Sequence, residues 1–355
     1  MASYRVLVVE DSLTVRRRLC EILASDPEIE IVGEAEDGRR AIELAQALRP
    51  DVITLDMMLP VMTGLAVTEY VMAYCPTPIL IVSASTNRGE LFRTYDALAA
   101  GAVDVLDKPQ GNEGDGDWER GFLARVKLVS RIKVITHPRA RLEALGHAQT
   151  RRRESIQAPA TKPARVVAIG VSTGGPRAIV DLLKMLPSPY PIPILLVLHI
   201  SEPFGSVFVE WLDAQTAHRA AYGVDGDPLP KVSVVMAPPD RHMIVAGSRL
   251  RLTRDPERHS CRPSVDVLFE SVAREYGPSA VGVLLTGMGR DGASGLLDMR
   301  QAGALTVAQD EATCAVFGMP REAIALGAAE RVLPLSEIGM FLARLAETPC
   351  GRIER

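Results

Sequence analysis

Apolar positions along the chain fall into short β-branched runs separated by stretches with helical spacing. Over the first 125 residues the runs are YRVLVV, EIEIVGE, DVITL, PILIVS and AVDVL. Runs of this length, apolar on most positions, suit strands buried on both faces. Between them lie amphipathic stretches such as residues 12–24 and 38–48. Five strands alternating with helices predict a parallel sheet covered on both sides. The pattern then stops. Residues 135–164 lack apolar periodicity and hold Pro, Gln, Thr and basic residues, so they read as part of a linker. Alternation resumes at Arg165 with RVVAIG, PILLVLH, VSVVMA, HMIVAG, RLRLT, AVGVLLT and ALTVA. Helices fit residues 176–186, 264–276 and 293–302, and HMIVAG with RLRLT reads as a β-hairpin. The chain thus predicts two doubly wound, mainly parallel α/β domains, residues 1–125 and 165–350, joined by a linker over 126–164.

Composition narrows the setting. With 355 residues the chain exceeds one ordinary core, in keeping with two domains. A net charge of −4 argues against wholesale nucleic-acid binding, and the basic run at residues 151–153 reads as a solvated part of the linker. The five cysteines (Cys20, Cys75, Cys261, Cys314, Cys350) are odd in number and lack metal-ligand spacing, which suits free thiols in a reducing compartment. A strand begins almost at the first residue, so no signal peptide is expected. The longest apolar run, IPILLVLHI, is too short to span a bilayer. The expectation is a cytoplasmic protein with neither a nucleic-acid partner nor membrane insertion.

Ligands of open parallel sheets bind beyond the carboxyl ends of the strands. In the first half those ends carry Glu10 and Asp11, Asp56, Ser83 and Lys108. Three carboxylates on neighbouring strands repel one another unless a hard cation sits among them, and Mg²⁺ takes oxygen ligands. Beside such an ion Asp56 can accept a phosphoryl group, Ser83 can hydrogen-bond its oxygens and Lys108 adds a fixed positive charge.

In the second half, GVSTGGP matches G-x-S-x-G at Gly170, Ser172 and Gly174. Neither the lysine of a nucleotide loop nor G-x-G-x-x-G spacing is present. Small neighbours let a strand turn sharply into a helix and lift the serine out at the top of the sheet, where the helix start can stabilise an oxyanion. A serine nucleophile needs a base. His199 ends the next strand, PILLVLH, at the same sheet edge; His242 begins a strand and is the weaker candidate, expected to border the cleft near the site. His137 and His147 fall in the linker, and His218 and His259 in polar segments. The acid that orients the base is expected past another strand, at Asp291 in LLTGMGRDGASG, with Asp310 as runner-up. Asp266, on a helix, reads as a surface or packing residue. The order Ser, His, Asp differs from the Ser, Asp, His of α/β-hydrolases.

On EDS, LDMMLP, SAS and DKP, residues 4–125 resemble the receiver domains of bacterial response regulators. That resemblance implies a flavodoxin-like fold, phosphorylation of Asp56 by a histidine kinase, and Mg²⁺ held by Glu10, Asp11, Asp56 and the Met57 carbonyl. Val105 stands where receivers commonly carry an aromatic switch residue. On IGVSTGGP, LVLH, APPDRHM, RPSVDVLFESVA, LLTGMGRDGASG and AQDEATCAVFGMPREAI, residues 165–346 resemble the catalytic domain of chemotaxis protein-glutamate methylesterases. This implies a Rossmann-like domain with a Ser172, His199, Asp291 triad and with Thr173 and Met288 as oxyanion donors. The implied activity is hydrolysis of glutamate γ-methyl esters on chemoreceptor cytoplasmic helices, releasing methanol, together with deamidation of receptor glutamines. No cofactor is implied for ester hydrolysis. The resting receiver is implied to cover the cleft until phosphorylation loosens it. The same chemistry in another chemosensory array, and a non-catalytic response regulator, are the alternatives.

Overall fold

All five apolar runs of the first half pair into one sheet. The computed structural model describes residues 3–84, 87–108, 115–132, 134, 163–200, 204–229 and 234–347. The chain divides into two units, meeting in sequence at residues 156 and 157.

In the first unit β1 (Tyr4–Val9), α1 (Leu13–Ala24), β2 (Ile29–Ala35), α2 (Gly38–Leu48), β3 (Val52–Leu55), α3 (Gly64–Tyr74), β4 (Ile79–Ser83), α4 (Arg88–Ala100), β5 (Asp104–Asp107) and α5 (Asp115–Val129) alternate. The strands are parallel in the order β2-β1-β3-β4-β5. The order reverses between β1 and β3, which opens a crevice at their carboxyl ends. One core packs Val6, Val8, Leu80 and Val82 of the sheet against Leu19 and Leu23 of α1 and Phe122, Val126 and Val129 of α5.

The second unit holds β6 (Val166–Val171), α6 (Gly175–Lys184), β7 (Ile194–Leu198), α7 (Gly205–Gln215), β8 (Ala220–Tyr222), β9 (Val234–Met236), β10 (His242–Ala246), β11 (Arg249–Thr253) and α8 (Val265–Tyr276). It continues with β12 (Ala280–Leu284), α9 (Ala293–Gln301), β13 (Leu305–Gln309), α10 (Met319–Ala325), β14 (Arg331–Leu333) and α11 (Leu335–Glu347). Seven parallel strands run β14-β13-β12-β6-β7-β9-β8, and β10 with β11 forms the expected antiparallel hairpin. From β6 the chain builds outward through β7, then returns to the other side at β12, so the crevice lies where β6, β7 and β12 end. Among the described residues no helix is long and apolar enough to cross a membrane.

Three features differ from the sequence expectation. Strands β8 and β14 have three residues each and lie at the sheet's edges, partly exposed, so neither carries an apolar run. Helix α5 continues past residue 125 to Val129 because Val126 and Val129 are fully buried against the sheet. Residues 126–129 are therefore helix and core rather than linker. Most of the remaining expected linker, with His137, His147 and residues 151–153, lies outside the described residues.

Each buried valine contributes about 1.5–3 kcal/mol. A receiver fragment ending at residue 125 is therefore expected to be less stable than one ending at residue 132 by about 3 kcal/mol or more. Urea unfolding of the two fragments checks this, and equal midpoints would remove Val126 and Val129 from the core.

Candidate functional sites

In the second unit the serine loop is built by close approach. Val171 pairs with Leu198, and the His199 amide donates to the Val171 carbonyl at 3.0 Å. Ser172 and His199 therefore leave adjacent parallel strands at one edge. Gly174 takes φ +78°, and the Gly175 amide donates back to the Ser172 carbonyl at 2.7 Å as α6 begins. At Gly170 a Cβ would lie 2.1 Å from Val265 Cγ1, so the strand carrying the serine can pass α8 only as glycine.

Two buried side chains that the sequence reading passed over hold this loop. The Ser172 amide donates to the Thr286 carbonyl at 3.0 Å. Thr286 Oγ1 donates to the Thr173 carbonyl at 3.0 Å and accepts from the Val316 amide at 2.9 Å. Gln309 Oε1 accepts from the Thr286 amide at 2.8 Å. One hydroxyl thus ties together the loops after β6, β12 and β13. A threonine and a glutamine in apolar strand ends carry no motif, so only their three-dimensional partners reveal them.

Asp291 and His199 meet at 2.8 Å, from Oδ2 to Nε2. An ionised carboxylate only accepts, so Nε2 carries the proton and Nδ1 is left as the basic nitrogen. The Asp291 carboxylate is also bound by the start of α8: Ser264 Oγ donates to Oδ1 at 2.7 Å, the Val265 amide to Oδ2 at 2.7 Å and the Asp266 amide to Oδ1 at 3.1 Å. Burial raises the Asp291 pKa, but His199, Ser264 and the Val265 amide outweigh it and hold the carboxyl below its usual range. Burial lowers the His199 pKa, yet the bond to Asp291 and the Cys261 sulfur push it up to about 9. Cys261 Sγ lies 3.7 Å from His199 Nδ1.

The Ser172 hydroxyl makes no hydrogen bond to any described residue, His199 included. A Cβ on Gly287 would lie 2.7 Å from Ser172 Cβ, so the Gly287–Met288 backbone passes directly beside the serine. The Thr173 and Met288 amides donate to no described residue, and the Met288 side chain is half exposed. His242 does not border the cleft. It is fully buried, its Nδ1 accepts the Ser264 amide at 3.1 Å and its Nε2 faces the Pro256 carbonyl at 3.2 Å. Beginning a strand under α8, it supports Ser264, which in turn holds Asp291. Asp310 caps its own loop through the Thr313 amide at 3.0 Å. Asp266, expected as a surface or packing residue, is wholly buried. It accepts from the Gly295 amide at 2.6 Å and faces His259 Nε2 at 3.2 Å. Burial raises its pKa and neighbouring Asp291 raises it further, against the Gly295 amide.

In the first unit the polar strand ends also converge. Carboxylate oxygens of Glu10, Asp11 and Asp56 lie within 4.8 Å of one another. Lys108 Nζ reaches Glu10 Oε2 at 2.8 Å and Asp56 Oδ2 at 3.0 Å. Burial pushes the Glu10 carboxyl up, with Lys108 opposing. Burial would lower the Lys108 pKa, but Asp56 and Glu10 reverse this and raise it. Among the described residues the Ser83 hydroxyl is buried without a hydrogen-bond partner, a donor able to take an acceptor. One ammonium does not balance three carboxylates, and an all-oxygen anionic donor set suits a hard cation such as Mg²⁺. The Met57 carbonyl accepts the Gly64 amide at 3.2 Å, and a carbonyl oxygen with two lone pairs can take a cation beside that bond. Val105 is buried on β5, with no ring at that position.

Comparison with known proteins identifies the family of both halves. The CheB methylesterase family matches residues 167–342 and the response regulator receiver domain family matches residues 6–114. A protein-glutamate methylesterase/protein-glutamine glutaminase of Anaeromyxobacter dehalogenans is 42% identical over 341 residues, covering 96% of this chain and 96% of that protein. One of Nitrosospira multiformis is 44% identical over 348 residues, covering 96% of each. One of Caulobacter vibrioides is 42% identical over 350 residues, covering 98% of this chain and 99% of that protein. Similarity of this degree, sustained through both matched regions, means that the chain belongs to the CheB methylesterase family, with a response regulator receiver domain preceding its methylesterase domain.

Proposed function

We propose that this chain is a phosphorylation-activated protein-glutamate methylesterase and protein-glutamine glutaminase acting on the cytoplasmic helices of chemoreceptors, in the cytoplasm. The observation that carries the reading is the 2.8 Å contact between His199 Nε2 and Asp291 on the sheet edge that also presents Ser172. Family membership and the names of the relatives support the substrate class.

Ser172 Oγ attacks the ester carbonyl of a methylated glutamate while His199 Nδ1 takes its proton. The Thr173 and Met288 amides, which have no other described partner, donate to the oxyanion. The tetrahedral intermediate collapses, methanol leaves with the proton from Nδ1, and an acyl-enzyme remains. Water then attacks the acyl carbon, His199 takes a proton from it and returns it to Ser172, and the free carboxylate departs. With a glutamine side chain, ammonia takes the place of methanol. Throughout, Asp291 holds Nε2–H and balances the imidazolium.

For the receiver we propose Asp56 as the phosphoryl acceptor from a histidine kinase. Glu10, Asp11 and Asp56 would hold Mg²⁺, which when bound neutralises charge on the phosphoryl oxygens. Lys108 ion-pairs with the phosphoryl group, and the Ser83 hydroxyl gains the acceptor it lacks.

Replacing Ser172 by Ala is expected to cut methanol release from methylated receptor membranes by about 10⁴-fold or more. Retained release would remove the serine from its role. Because the base must be neutral to accept a proton, kcat/KM is expected to rise with pH toward a limb near 9. A flat or falling profile between about pH 6 and about pH 9 would contradict His199 as that base. Acetyl phosphate is expected to accelerate the wild type severalfold and to leave Asp56→Asn unaffected, while deleting residues 1–160 raises the basal rate. If Asp56→Asn responded like the wild type, another phosphoacceptor would have to be sought.

A further inference from the structure

The loop before α8 places a thiol against the basic nitrogen of His199. The Arg258 amide donates to the Cys261 carbonyl at 3.2 Å and the Cys261 amide to the Arg258 carbonyl at 2.9 Å. Between them His259 and Ser260 take φ 53° and 58°, the tight two-residue turn with both central residues left-handed. His259 anchors this turn through buried Asp266 at 3.2 Å, and Arg290 Nε donates to its other ring nitrogen at 3.2 Å. The result is Cys261 Sγ held 3.7 Å from His199 Nδ1.

On the far side of the ring, Nε2 is fixed by Asp291 at 2.8 Å. An imidazole with a carboxylate behind one nitrogen and a thiol facing the other has the arrangement that zinc sites use, in which the carboxylate orients the histidine. A tetrahedral Zn²⁺ with its usual Zn–S and Zn–N bonds separates those two ligand atoms by roughly 3.6 Å. The observed separation is 3.7 Å. The Asp291 oxygens are already taken by Ser264, two amides and Nε2, so Asp291 acts as the orienting group. Sulfur and imidazole nitrogen select Zn²⁺ over the hard cation suited to the carboxylates of the receiver.

We propose that Cys261 and His199 form a Zn²⁺ clamp that reversibly inhibits the enzyme. Zn²⁺ binds Nδ1 and the Cys261 sulfur, the thiol proton passes to solvent, and water fills the remaining positions. The Nδ1 lone pair is then no longer available to Ser172. The inhibitory consequence rests on the esterase reading above; the binding itself does not.

Full-length protein titrated with Co²⁺ as a spectroscopic stand-in is expected to show a thiolate-to-metal charge-transfer band that Zn²⁺ removes by displacement. Cys261→Ser and Cys261→Ala, folded by circular dichroism and keeping the other four cysteines, are expected to lack the band. In methanol release under buffered free Zn²⁺, with each protein scaled to its own zinc-free rate, Cys261→Ser is expected to need at least tenfold more Zn²⁺ for half inhibition. A chelator is expected to restore the wild-type rate. A band that persists in both variants, or no band in the wild type, overturns the clamp. Equal zinc sensitivity of wild type and variant overturns inhibition through it. A Cys261-dependent band in a protein that releases no methanol supports the clamp and sinks the esterase reading instead.

Discussion

The Asp291 carboxylate at the start of α8 is the contact on which the catalytic half depends. A buried carboxylate is costly unless charge-assisted bonds surround it, each worth about 1.5–3 kcal/mol. Here Ser264 Oγ, the Val265 and Asp266 amides and His199 Nε2 supply them. Two of these donors are orphan amides of a helix N-terminus, whose dipole also favours negative charge. The carboxylate completes the helix and the helix keeps the carboxylate ionised. That ionisation fixes which ring nitrogen of His199 holds a proton. His242 lies one step further back, buried beneath Ser264, and belongs to the same chain of supports.

A second carboxylate, Asp266, lies beside the first and would repel it. His259 and the Gly295 amide bind Asp266 on its other side, and Arg258 lies 3.9 Å from it. Their environments push the two pKa values apart, Asp266 upward and Asp291 downward. The turn that delivers Cys261 is pinned through this second carboxylate, so stabilising the pair also places the thiol.

The receiver pocket solves the opposite problem. Donors surround one carboxylate in the second unit; in the first, three carboxylates converge and a single lysine pairs with two of them, Glu10 and Asp56. Among the described residues the Ser83 hydroxyl is buried without a hydrogen bond. Such a site is incomplete by itself, which suits a function of accepting charge rather than holding a shape. Both pockets nevertheless sit where parallel strands end at a reversal of strand order.

Local patterning was enough to read the alternation of strands and helices in both halves, the hairpin, and the polar residues just past the strand ends: Glu10, Asp11, Asp56, Ser83, Lys108, Ser172, His199 and Asp291. A strand's period and a sharp turn are properties of neighbouring residues, so sequence by itself determined them. Edge strands β8 and β14 escaped because edges need no apolar run, and the end of α5 because its valines matter only once packed against the sheet. Tertiary structure alone decided that Asp266 and His242 are interior supports, that Thr286 and Gln309 lock the serine loop, and that Cys261 faces His199. Those roles depend on burial and on hydrogen bonds between residues as much as 113 positions apart, and no periodicity encodes such a partner.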